Sequence, residues 1–149
     1  LYGIILDESD SMDSLKELRE WIDIGMLLLA AKKSNKEDIL RLERALHVLE
    51  DNMKRGDDAA AFDADNVFHS VMAEITHNPL FAKIGSLVRL LTYEIRRRTF
   101  QNMTKTKDSR EEMVQVHYEI FDAIRTKNTN KAREIIEGSY FYERGVLDR

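Results

Sequence analysis

A chain of 149 residues is the size of one domain, long enough to bury a core without disulfides or a structural metal. It has no cysteine, which excludes thiolate metal sites, thiol catalysis and disulfide frameworks and suits a reducing, cytoplasmic setting. A net charge of −4 argues against nucleic-acid binding by the chain as a whole, and the longest apolar run, residues 25–31, is too short to span a bilayer.

Residues 1–12 read as the end of an interdomain linker, because a short apolar stretch runs into the acidic cluster Asp7, Glu8 and Asp10. The first residue is Leu1 and not methionine, so an N-terminal part is expected to precede it. From there helical periodicity dominates, interrupted by a single proline, Pro79. A first helix is expected over 13–32, with Leu15, Leu18, Ile22, Met26 and Leu29 at helical spacing. A second opens on Ser34-Asn35-Lys36-Glu37, read as a capping box, and carries Ile39, Leu42, Leu46, Leu49 and Met53. The break at Gly56-Asp57 leads to a third, with Phe62, Phe68, Met72 and Ile75 inward.

Asn78-Pro79 is an N-cap followed by proline at the first helical position, and it opens a fourth helix with the stripe Ile84, Leu87, Leu91 and Ile95. Near its end Arg96, Arg97 and Arg98 read as a solvated, dipole-complementing terminus. After a polar connection at 105–108, Ser109 and Glu112 suggest a second capping box for a fifth helix with Met113, Val116, Ile120 and Ile124. The break at 128–130 precedes a last helix with Ala132, Ile135 and Ile136. Nothing reads as a strand. The expected fold is all-α, an antiparallel bundle of six or seven helices.

Asp65 and His69 stand four apart on the inward face of the third helix, and His117 falls in register with Met113, Ile120 and Ile124 on the fifth. Unpaired, such groups are costly to bury. Two solutions are open: a divalent transition metal (zinc, nickel or manganese) held by all three, or an Asp65–His69 hydrogen bond beside a satisfied core histidine. Arg19, next to Leu15, Leu18 and Ile22, could fork onto a carboxylate or pair with Glu20 or Asp23. His47 lies between Glu43 and Glu50 on a polar face and His77 precedes a helix start, so both read as structural. There is no glycine-rich phosphate loop and no serine nucleophile motif, and no general base stands out beside the three ligands.

Several segments, in order, resemble one family. Residues 17–23, ELREWID, resemble the E-x-R-x-x-L-E opening of the FCD domain, and residues 65–69, DNVFH, match its D-x-x-F-H signature. Residues 78–81, NPLF, match its N-P-L-hydrophobic helix start, and residues 117–124, HYEIFDAI, resemble H-x-x-I-hydrophobic-x-A-I. The resemblance runs from about residue 13 onward and is to the ligand-binding half of FadR-branch regulators of the GntR superfamily.

The resemblance implies an effector-binding and dimerising domain over 13–149, not an enzyme. A winged-helix DNA-binding domain is expected before it, so the protein would reach operator DNA only through that part. It implies metal ligands at Asp65, His69 and His117, a small organic acid as effector, a homodimer, and no membrane partner. The family's usual fourth ligand, a histidine in the last helix, corresponds here to Ser139, a poor ligand for such metals. That departure leaves room for effector or water on the metal, and equally for a metal-free acyl sensor or a purely dimerising module. Arg19 matches a family arginine that often faces the cavity, which ties it to the effector. A metal-dependent hydrolase is the rival from another class.

Overall fold

The computed structural model describes residues 9–147, with side chains described over 12–138. Among these residues seven helices follow one another: α1 (Ser9–Lys33), α2 (Lys36–Arg55), α3 (Asp58–Ile75), α4 (Pro79–Leu91), α5 (Tyr93–Met103), α6 (Lys107–Arg125) and α7 (Thr129–Leu147). There is no strand among the described residues. No helix among them is long and apolar enough to cross a membrane.

The helix ends follow from local chemistry. The box that opens α2 is formed by Asn35 and Asp38, one position beyond the expected Ser34 and Glu37. Ser34 is already engaged, since its buried hydroxyl faces the Ile124 carbonyl and its own carbonyl accepts from Lys127 Nζ at 2.7 Å. Gly56 ends α2 at φ 69°, a left-handed conformation that glycine reaches without a Cβ penalty. Asn78 caps α4 as expected, its side-chain oxygen accepting from the Phe81 amide at 3.1 Å. The second box is displaced the other way, three positions upstream of its expected place: Thr106 and Ser109 close it, and α6 starts at Lys107. Among the described residues the first helix begins at Ser9 rather than Asp13.

The larger difference is that the expected fourth helix is two. At Thr92 the hydroxyl donates to the Val88 carbonyl at 2.8 Å, duplicating the backbone's own bond to that oxygen. Such back-bonding bends helices, and here α4 ends and α5 starts at the same residue. The inward face also differs from the expected stripe. Gly85 and Val88 are buried, whereas Ile84 and Leu87 are exposed. Leu18 on α1 is likewise outside, and the inward row there runs through Leu15, Met26, Leu27, Ala30 and Ala31. A helix with apolar residues on two faces has no single periodicity to read.

One core joins α1, α2, α3, α6 and α7 through Leu27, Leu42, Leu46, Phe68, Met72, Ile124 and Ile136. A second cluster, Leu49, Met53, Phe62 and Phe100 with neighbours, closes the bundle at the α5 end. Small residues let α4 lie close on α1. A Cβ at Gly25 would meet Phe81 Cζ at 3.1 Å, and one at Gly85 would meet Ile22 Cγ2 at 3.6 Å. The helices thus stand around a cavity of about 700 Å³, reached by side chains of α1, α3, α4, α5, α6 and α7.

Candidate metal and effector site

The α3 and α6 helices bring the three expected ligands together. One donor atom from each of Asp65, His69 and His117 lies within 4.8 Å of the others. His117 Nε2 is 2.8 Å from Asp65 Oδ1, and His69 Nε2 is 3.4 Å from the same oxygen. Phe68, fully buried, packs its ring against the edge of His117 with centroids 5.0 Å apart, which fixes the imidazole between the helices.

Protonation follows from the partners. His117 Nδ1 is 2.7 Å from the Met113 carbonyl, which can only accept, so this nitrogen carries the proton. That leaves Nε2 to face a carboxylate, where a second proton or a cation must join the two acceptors. Burial works against the Asp65 carboxylate, yet His69 and His117 hold it well below the usual carboxylate range. Burial, reinforced by the Arg89 charge, pushes the His69 imidazole down and keeps it neutral near pH 7, the form that ligates metals. His69 Nδ1 is buried with no hydrogen-bond partner. An anionic oxygen, two neutral-capable imidazoles, a carbonyl orienting one ring and an orphaned ring nitrogen suit a divalent transition metal.

Arg19 also lines the cavity, with Nε 3.5 Å from Asp23 Oδ2, so its two expected roles meet in one place: an ion pair on its own helix, at the wall of the cavity. Ser139 lies within the backbone of α7, but its side chain falls outside the described residues. His47 is exposed, and His77 reaches Asp38 at 2.7 Å from a strained φ of 48°, in keeping with structural roles.

The sequence reading passed over Arg89 and Asn66 and took Arg96 for part of a solvated helix end. Arg96 is only 7% exposed, so it is no solvated helix end; of the three consecutive arginines only Arg98 is exposed. It lines the cavity with Arg89. Burial, then the charges of Arg89 and Arg19, bring the Arg96 guanidinium down to about 10, still charged at neutral pH. Arg89, Thr92, Arg96 and Thr99 recur at helical spacing, a pattern that marks one inner face once the run of arginines is not read as a block.

Residues 14–139 match the FCD domain. The HTH-type transcriptional repressor NanR of Cronobacter sakazakii is 30% identical over 122 residues, covering 82% of this chain and 45% of that protein. NanR of Salmonella newport is 32% identical over 123 residues, with the same coverage of each. The chain therefore spans about half the length of the curated relatives it matches. Among solved structures, E. coli McbR/YncC superposes with a TM-score of 0.72 at 13% identity, covering 93% of this chain and 70% of that one, a likeness of fold.

Proposed function

The chain belongs to the FCD domain family of GntR-type transcriptional regulators, and from that premise we propose that it senses a small organic acid through a divalent metal held by Asp65, His69 and His117. The observation that carries the proposal is the convergence of those three donors on the wall of a cavity of about 700 Å³, a size suited to a metabolite. The bound ion would act as a Lewis acid that anchors an effector oxygen. Around it the chain's own groups set the environment: Met113 orients His117, and Arg19 offers a fork for a carboxylate. Its relatives are transcriptional regulators rather than enzymes, which leaves the hydrolase reading without support.

Such a domain acts by biasing the bundle between two packings and so repositioning DNA-binding modules elsewhere in a cytoplasmic regulator. A second copy of this chain is the proposed partner. Leu18 and Trp21 on α1 and Leu80, Ile84, Leu87 and Leu90 on α4 are large, apolar and exposed. Tyr93 at the start of α5 is exposed as well, and large apolar and aromatic side chains of this kind make up the core of an interface. Two helices lying side by side form a face that can repeat across a two-fold axis.

The test is zinc and nickel binding by chelator-stripped protein, with Asp65→Ala and His117→Ala alongside. One equivalent bound by the wild type and none by either variant is the expected result. Failure of the wild type to bind either ion would remove the metal and leave a metal-free sensor.

A further inference from the structure

Two guanidinium groups in the cavity wall share one neutral oxygen. Asn66 Oδ1 accepts from Arg96 Nη1 at 2.7 Å and from Arg89 Nη2 at 3.1 Å. Arg96 Nη2 donates to the Arg89 backbone carbonyl at 2.9 Å, an oxygen at the break before α5. Its Nε is buried and has no acceptor. The rings of Phe62 and Tyr93 lie 5.8 and 5.9 Å from its guanidinium carbon and supply the remaining attraction.

Among the described residues no carboxylate hydrogen-bonds to this pair. The nearest to Arg89 is Asp65 at 3.9 Å, and that carboxylate already serves both histidines. Asp23 is engaged with Arg19. Glu112, Glu119 and Glu134 also line the cavity; Glu112 and Glu134 are exposed to water and Glu119 is half-buried, and none of them pairs with either arginine. Two cations in a nearly dry wall, with an amide oxygen between them and an unused N–H, are an unbalanced charge that an anion would settle.

We infer that Arg89 and Arg96, clasped by Asn66, form an oxyanion subsite that selects a carboxylate group on the ligand. This deepens the proposed sensing of an organic acid, but it does not need the metal. Planar forks match a carboxylate through paired N–H bonds, which a lysine cannot reproduce. Asn66 and Asp65 are consecutive on α3, so the anion subsite and the metal cluster are built from one turn of helix. A cation on Asp65 removes the counter-charge that Arg89 now has at 3.9 Å. Arg89 is then freer for an anion, so metal and carboxylate strengthen each other's binding, and they must do so reciprocally.

The experiment follows arginine side-chain N–H resonances of the 15N-labelled 149-residue chain, free of metal, during titration with acetate, inorganic phosphate or the neutral acetamide. Arg96→Lys assigns the Arg96 Nε–H signal by its loss, and the backbone amide spectrum reports that each variant is folded. The Arg96 signal is expected to move saturably with acetate and to stay in place with acetamide. Arg89→Gln, or Arg89→Lys if that variant unfolds, should weaken the acetate response about tenfold, the scale of one charge-assisted hydrogen bond. Zinc should tighten it several-fold. An Arg96 signal that ignores acetate, follows acetamide equally, answers only to phosphate, or is indifferent to Arg89→Gln overturns the subsite. A protein that binds no zinc yet shows the Arg89-dependent acetate response keeps the subsite and loses the metal.

Discussion

Asp65 Oδ1 sits 2.8 Å from Nε2 of His117, a residue 52 positions further along the chain. The contact ties α3 to α6 at the edge of the core, and the same carboxylate faces His69 and, more distantly, Arg89. Asp65→Ala leaves these buried groups without the carboxylate they share. In metal-free protein it is expected to cost about 1–3 kcal/mol in urea unfolding, with Asp65→Asn costing less because one acceptor remains. A variant as stable as the wild type would show that the carboxylate contributes nothing to folding.

Acid should weaken the metal-free protein before ordinary carboxylates titrate. His69 is held below its usual value of 6.5 by burial and by Arg89, so the unfolded chain takes up this proton at a higher pH than the native one. Where the unfolded state binds more protons, stability rises with pH. Stability is therefore lost as pH falls through 6.5 toward the lower native value. Denaturant melts at a series of pH values should show that slope, and His69→Gln should flatten it.

Asp38 performs two tasks at the start of α2: it accepts from the Asn35 amide at 3.0 Å and meets His77 Nε2 at 2.7 Å. Asp38→Ala should lower stability by about 1–2 kcal/mol, as loss of a cap does. The double variant with His77→Ala should cost less than the sum of the two single changes. Strict additivity would mean that the contact between α2 and the α3–α4 turn carries no energy.

The outward leucines give a test of self-association. Leu87→Glu or Leu90→Glu places a charge in the proposed contact and should raise the dimer dissociation constant at least about tenfold in sedimentation equilibrium. Trp21, the chain's single tryptophan and 61% exposed, reports the same event, because its emission should shift to the blue as wild-type concentration rises. A wild type that sediments as a monomer throughout excludes this face as the self-contact.

Much of this was legible in the residues, and the rest for definite reasons failed to be. Apart from the split at Thr92, the helices with their caps and breaks were near to hand, since Asn78-Pro79, Gly56 and the row Leu42, Leu46, Leu49 and Met53 each act locally. Asp65, His69 and His117 were found because a polar residue in an apolar row stands out. Arg89 and Arg96 did not stand out, because the bend at Thr92 that sets their relation is decided by one hydroxyl among many. The capping boxes were misplaced by one and three positions because several hydroxyls and amides compete there, and the winner depends on tertiary partners such as Ile124 and Lys127. The inner face of α4 was misjudged because both of its faces are apolar.

That short helix has a wet side and a dry side of unusual meaning. Arg89 lines the cavity, while Leu87 and Leu90 look outward, and all three belong to one thirteen-residue rod that stops at Thr92. What fills the cavity is thus separated from whatever lies against the outer leucines by a partition one helix thick, about 10 Å. Communication between the two sides requires no relay of side chains across the molecule; a small tilt of the partition is felt on both at once.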